Sequence, residues 1–254
     1  MSILNELKWL LLFKRTYCRV CSGAKAKIGK NVVIRNSQII VTSGSYLEIG
    51  DNVCIENSTI SIVDGKLTIK PFSYLGNSAE RLCLNIENGE VHIGHHSKIN
   101  ARRFWIRFGG IVNIGDYTNI NYGSEIRCDE SVTIGSFNQI SYFVNIWDTN
   151  THNILPKEER RKLTEKYYPY YGKEIFRPIT APIVIGDDCW LGQGVSVLKG
   201  STIGDGVIIG FNSIISGKFI PSDTTVVTDN SLKYIRTQNL WNKFAVRGVN
   251  TFNL

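Results

Sequence analysis

The sequence predicts an all-β protein wound as one parallel β-helix, and two observations carry that prediction. From Ile185 an aliphatic residue recurs every sixth position, at Ile185, Leu191, Val197, Ile203, Ile209 and Ile215. Upstream the same block start recurs at Ile28-Gly29, Ile49-Gly50, Ile69, Ile93-Gly94, Ile114-Gly115 and Ile134-Gly135, with separations of 21, 20, 24, 21 and 20 residues. A six-residue period matches neither the 3.6 of an amphipathic helix nor the 2 of a half-buried strand. It suits a solenoid in which each block forms one short face of a prism and three blocks complete a coil of about 18 residues. The longer upstream separations are one coil plus corner insertions, so about eight coils run from Ile28 to Pro221.

Each position in the block has its own physical task. The first residue points into the core. The second is usually Gly, and the fifth is Cys189, Val195, Ser201, Val207, Ser213 and Phe219, mostly small side chains for an inward corner. Cys189 therefore reads as core filler and not as a thiol nucleophile.

The totals agree with one large domain of 254 residues, 43% of them hydrophobic and 20% charged. The net charge of +7 is dispersed, with short groups only at Lys14-Arg15, Arg102-Arg103 and Arg160-Arg161-Lys162. That scatter argues against a nucleic-acid partner and leaves an anionic cofactor or lipid in play. Six separated cysteines read as reduced thiols, which predicts a cytoplasmic protein. Residues 1–27 are expected to form an N-terminal helical cap. Its apolar run from Trp9 to Phe13 is far short of the roughly 20 residues that span a bilayer. Bracketed by Lys8 and Lys14-Arg15, the run suits packing on the domain or peripheral contact with an anionic membrane face. Residues 222–254 are expected to form a tail packed on the β-helix.

The rhythm stops at IWDTNTH. In frame from Ile134, Ile140 and Ile146, the next core position is His152, and the frame restarts only at Ile185. An excursion over 153–182 in an otherwise tight coil is a functional-loop signal. Pro156 to Lys166 reads as a short charged helix, followed by the aromatic residues Tyr167, Tyr168, Tyr170, Tyr171 and Phe176.

The stretches LEIGDN, VNIGDYTNI and IVIGDDCWLGQGVSVLKGSTIGDGVIIGFNSII together resemble the hexapeptide-repeat acyltransferases. That resemblance implies a left-handed β-helix. Asp148-Thr-Asn-Thr-His152, followed by Ile185-Gly-Asp-Asp-Cys-Trp190, resembles the active site of the family's sugar O-acetyltransferases, of the galactoside, maltose and capsular-polysaccharide kinds. It implies a homotrimer with acetyl-CoA lying between adjacent subunits, a sugar or glycan acceptor, and His152 as general base with Trp190 on the neighbouring subunit's side. The chemistry is coherent, because a neutral imidazole suits removal of a sugar hydroxyl's proton during attack on a thioester.

Asp148 either orients His152 or closes a corner turn, and Asn150 is a corner spine residue or an acceptor contact, alongside Tyr167, Tyr168 and Tyr170. Gly192, Gln193, Lys199, Phe211, Ser216, Lys218, Lys233 and Arg236 join Trp190 as candidates for the donor. Ser216-Gly217-Lys218 and Thr228-Asp-Asn-Ser-Leu-Lys233 depart from the family's usual CoA-contacting sequences. His92, His95 and His96 lack the His-x4-His pair of the family's zinc-binding members, and no metal is expected. The alternatives are N-acylation of an amino sugar, and a catalytically idle β-helix that binds glycans or partners.

Overall fold

A computed structural model describes residues 16–77, 79–169, 176–228 and 232–236. Their strands form three sheets that are the three faces of one prism. Nine strands make the first face, from Tyr17–Val20 to Ile214–Ser216, and nine the second, from Lys25–Ile28 to Phe219–Ile220. The third face has ten, from Val33–Arg35 to Leu232–Arg236. Successive turns pair in parallel; the last strand, Leu232–Arg236, pairs antiparallel with Thr224–Thr228.

The solenoid has about ten turns, not eight. The difference arises at both ends. Tyr17–Val20 and Lys25–Ile28 are already strands inside the span expected to be a helical cap, and Thr224–Thr228 continues the third face beyond Pro221. The block rhythm missed the first turn because its strands, reading YCRV and KAKI, lack the aliphatic-Gly start until Ile28 itself. Residues 1–15, where the amphipathic run lies, are outside the described residues. Among the described residues no helix is long and apolar enough to cross a membrane.

The block starts stack in register. Ile28, Ile49, Ile69, Ile93, Ile114, Ile134, Ile185, Ile203 and Ile220 are successive Cα partners up the second face. From Ile49 upward none is more than 4% exposed. Each such side chain contributes about 1.5–3 kcal/mol by leaving water. Ile134 meets Ile185 directly, so the excursion leaves the coil and returns without shifting the register.

The corner after each second-face strand explains the Ile-Gly-Asp signature. A Cβ on Gly115 would lie 2.5 Å from the carbonyl carbon of Gly135 in the next turn, so only hydrogen fits. The third residue accepts from the preceding turn: Asp51 Oδ1 from Lys30 N at 2.6 Å, Asp116 Oδ1 from His95 N at 2.8 Å, Asp205 Oδ1 from Asp187 N at 2.8 Å. The fifth residue turns inward and donates to the carbonyl of the glycine one turn on, as Ser97 Oγ does to Gly115 O at 2.8 Å and Thr118 Oγ1 to Gly135 O at 2.8 Å. Cys189 holds that same place, with its thiol directed at Gly204 O at 3.1 Å. Burial pushes this thiol up to about 11, which leaves it protonated and inert. We expect Gly115→Ala to destabilise the protein by about 1–3 kcal/mol through overpacking, measured by denaturant unfolding.

Candidate active site

The solenoid opens at the corner between the first and second faces, just after the strand Asn145–Trp147. Thr149 and Thr180 form an isolated antiparallel bridge there, Asn150 N donates to Ile179 O at 3.0 Å, and Ala181 N to Asp148 O at 3.0 Å. These contacts close the neck of the excursion. Its helix runs over Lys157–Tyr167, one residue later at each end than the sequence suggested, and none of its residues is buried. Glu158 and Glu159 in its first turn and Lys166 in its last complement the helix dipole.

Asp148 closes a corner instead of orienting His152. Its carboxylate is fully buried and accepts from the backbone amides of Asp129 at 2.8 Å, Glu130 at 2.8 Å and Ser131 at 2.7 Å, one turn below. The Cys128 thiol adds a bond at 3.3 Å. Among the described residues these are the partners of the carboxylate, so the orienting role is corrected. Burial raises the Asp148 carboxyl above the ordinary carboxylate range while the amide donors pull it back.

A polar network absent from the sequence reading holds the approach to His152. Arg107 makes a bidentate pair with Asp129, Nε to Oδ1 at 2.9 Å and Nη2 to Oδ2 at 2.7 Å, with both side chains buried. Thr149 Oγ1 donates to the same Asp129 Oδ2 at 2.7 Å and accepts from Thr151 N at 3.0 Å. Arg107 and Arg127 donate to the carbonyl and hydroxyl of Thr151, at 3.3 and 3.2 Å. Thr151 is thereby buried with φ at +67°, and His152 N folds back to Asn150 O at 2.7 Å. His152 itself is exposed. A hydrogen-bonded turn thus presents the histidine at the root of the excursion.

The arginines are seated on tryptophans. The guanidinium of Arg127 lies 4.1 Å from the Trp147 ring centroid, and that of Arg107 lies 4.2 Å from Trp105. Glu125 bridges Arg103 at 2.6 Å and Arg127 at 2.5 Å. Arg127 and Trp147, like Arg103 and Glu125, are about one coil apart in the chain and become neighbours only through the register of the first face, where Trp105, Arg127 and Trp147 are successive partners. The only trace in the sequence is alternation of Trp and Arg at coil spacing.

The other candidates divide between two sides of the prism. On the corner of His152, Lys199 Nζ donates to Asn150 Oδ1 at 2.6 Å, so Asn150 is neither a buried spine residue nor remote from the donor candidates. Ser216 and Lys218 follow one turn on, Ser216 as the partner of Leu198 and Lys218 with its carbonyl on Thr202 N. On the opposite side, Trp190 stands on the third face, 57% exposed, between Gln139 and Ile208. Gly192 and Gln193 form the next corner, with the exposed Phe211 one turn above; a Cβ on Gly192 would lie 2.8 Å from Phe211 N. Lys233 and Arg236 lie on the terminal antiparallel strand, opposite Val227 and Thr224. Tyr167 ends the excursion helix and Tyr168 follows it, 70% exposed; Tyr170 lies outside the described residues. His152 and Trp190 therefore cannot share one pocket within a single chain.

Replacing Asp129 by Ala leaves Arg107 buried without its partner, which costs about 3–5 kcal/mol. We expect the lowered stability in denaturant unfolding to be accompanied by faster proteolysis within 149–182.

Residues 182–217 match the model of the bacterial transferase hexapeptide family (six repeats). The chain is 30% identical over 166 residues to the putative lipopolysaccharide biosynthesis O-acetyl transferase WbbJ of Escherichia coli, covering 63% of this chain and 81% of that protein. It is 30% identical over 150 residues to the probable acetyltransferase Rv3034c of Mycobacterium tuberculosis, covering 59% of this chain and 43% of that protein. A solved hexapeptide-repeat acetyltransferase of Vibrio cholerae, complexed with acetyl-CoA, is 27% identical over 57% of this chain and 69% of its own, with a TM-score of 0.43.

Proposed function

The chain belongs to the hexapeptide-repeat acyltransferases, and from that premise we propose that it moves an acetyl group from acetyl-CoA to a hydroxyl of a sugar or cell-surface polysaccharide precursor, with His152 as general base. The observation that carries the reading is the break in the solenoid: at one corner the chain leaves the coil, and a buried network of Arg107, Arg127, Asp129, Thr149 and Thr151 fixes the turn that exposes His152. A general base needs that combination of a fixed backbone and an accessible ring.

In the reaction, an imidazole nitrogen of His152 takes the proton of the acceptor hydroxyl as its oxygen attacks the thioester carbonyl. The tetrahedral intermediate collapses with cleavage of the carbon–sulfur bond. The imidazolium returns its proton to the departing thiolate, so the products are the acetyl ester and free CoA, with no acyl-enzyme. Cys189 takes no part, since its thiol is protonated and committed to a core carbonyl.

The separation of the two residue groups fits an assembly of copies. The corner bearing His152, Asn150 and Lys199 of one chain faces the third-face side bearing Trp190 and Phe211 of the next, and a closed ring of three completes three equivalent sites. Lys199, Lys218, Lys233 and Arg236 supply cationic candidates for the donor's phosphates. The protein works at the cytoplasmic side, where acetyl-CoA is available.

We expect His152→Ala to lower thiol release from acetyl-CoA by about 10²–10⁴-fold across a panel of sugar acceptors, with oligomeric state and unfolding midpoint unchanged. Near wild-type turnover in that variant would remove His152 as the base. Cys189→Ala, assayed in parallel, is expected to retain transfer, and loss of turnover in a folded Cys189→Ala protein would point to a thiol nucleophile.

A further inference from the structure

The corner between the second and third faces repeats one backbone conformation in nine successive turns. Its fourth residue is left-handed each time, at Asn31, Asn52, Phe72, His96, Tyr117, Phe137, Asp188, Gly206 and Asp223, with φ between +54° and +63°. An L-residue pays roughly 1–2 kcal/mol for that conformation, and Gly, Asn and Asp bear it most easily. The outer turns use those three residue types. Only the four central turns place a ring there.

The rings form a continuous stack along the solenoid axis. Phe72 and His96 lie 4.8 Å apart at 19°, His96 and Tyr117 4.8 Å at 17°, Tyr117 and Phe137 5.1 Å at 7°. Phe72, Tyr117 and Phe137 are 55%, 44% and 54% exposed, so the stack is a surface rail and not part of the core. His95 braces it, edge-on to His96 and Tyr117, with its Nε2 2.9 Å from Asp116 Oδ2.

The same central turns line a groove. It has a volume of about 870 Å³ and lies open on the second face, next to the rail. One column of side chains runs its length in strict register: Glu48, Thr68, His92, Asn113 and Thr133. Five strands at the usual spacing make a track of about 19 Å, with a hydrogen-bonding group at every step of about 4.8 Å. The track ends one turn below the strand Ile183–Ile185, by which the excursion carrying His152 rejoins the coil.

We propose that this groove and rail bind an extended carbohydrate chain, several sugars long, as a site separate from the reacting centre. Pyranose rings present apolar C–H groups that pack on the outward edges of the stacked rings, whose faces are turned on one another, and equatorial hydroxyls that pair with hydroxyl, amide and imidazole groups; the rail and the groove offer those two complements. A second copy of this chain is the competing occupant. The groove carries Glu48, Lys66 and Lys70, residue types depleted from the cores of protein interfaces, which favours the glycan. The exposed apolar residues Trp190, Phe211, Ile214 and Phe219 lie outside the groove, distributed over the last turns of the solenoid. The inference deepens the proposed transfer by making the acceptor a polymer, held along the protein while one sugar reaches His152.

The test uses the full chain on an array of bacterial-surface oligosaccharides, each as a disaccharide and a hexasaccharide, followed by calorimetric titration of the binders. At least one hexasaccharide is expected to bind about tenfold or more tightly than its disaccharide. That gain is lost in the double variant Tyr117→Ala with Phe137→Ala, and in Asn113→Trp, which obstructs the track without touching the rail. Oligomeric state, unfolding midpoint, and transfer to small sugars stay at wild-type level in both. No length-dependent binding anywhere on the array, length dependence that survives both variants, or subunit dissociation by either variant overturns the proposal, the last by assigning the surface to a second copy. The wild-type protein separates the two readings: hexasaccharide binding with no thiol release from acetyl-CoA leaves the groove standing and removes the enzyme, whereas His152→Ala that keeps the binding and loses transfer supports both.

Discussion

The hydrogen bonding of each turn to the next governs everything else in this molecule. A single turn has no complete sheet of its own, and its amides and carbonyls are satisfied only by the turns above and below. Parallel pairing sets the rise at about 4.8 Å, and at that spacing the corners meet backbone to backbone. Gly115 against Gly135 shows the result, a contact that admits no Cβ. Asp116, Asp187 and Asp205 then satisfy corner amides that the strands leave over. The Ile-Gly-Asp signature is therefore a consequence of stacking distance.

A scaffold this regular can be opened at one place without losing its register. Between Ile134 and Ile185 the chain departs and returns to the same column, and the cost of the opening falls on polar groups at the neck. Asp148 fastens the corner below through three amides, while Asp129 gathers Arg107 and Thr149. A buried ion pair of this kind adds little net stability compared with an apolar pair. Its effect is geometric, because charge-assisted bidentate bonds hold direction as well as distance. The exposed histidine follows directly on this hydrogen-bonded turn.

The prism also separates the candidate sites. The His152 corner collects Asn150 and Lys199, the third face presents Trp190 with Phe211 at its following corner, and the second face carries the groove, with the ring stack at its edge. Repetition makes such separation simple, since a side chain chosen at one block position is copied at a fixed spacing along one edge. Four rings placed at the left-handed corner position become one rail without any change of backbone.

The sequence by itself determined the repeat, the core column, the corner glycines, the inert Cys189 and the place where the coil opens. Each of these depends on a spacing of six residues or on one coil, which a single chain displays directly. Tertiary structure alone decided the role of Asp148, whose two readings differed only in which neighbour its carboxylate meets one turn away. It also decided the seating of Arg127 on Trp147, the Asn150–Lys199 contact and the ring stack, because these join residues about 20 or 50 positions apart whose adjacency exists only once the register is set. The first and last turns lay beyond the rhythm for the same reason: strands without the aliphatic-Gly start are held in the solenoid by their neighbours' hydrogen bonds, and pairing of that kind leaves no period in the chain.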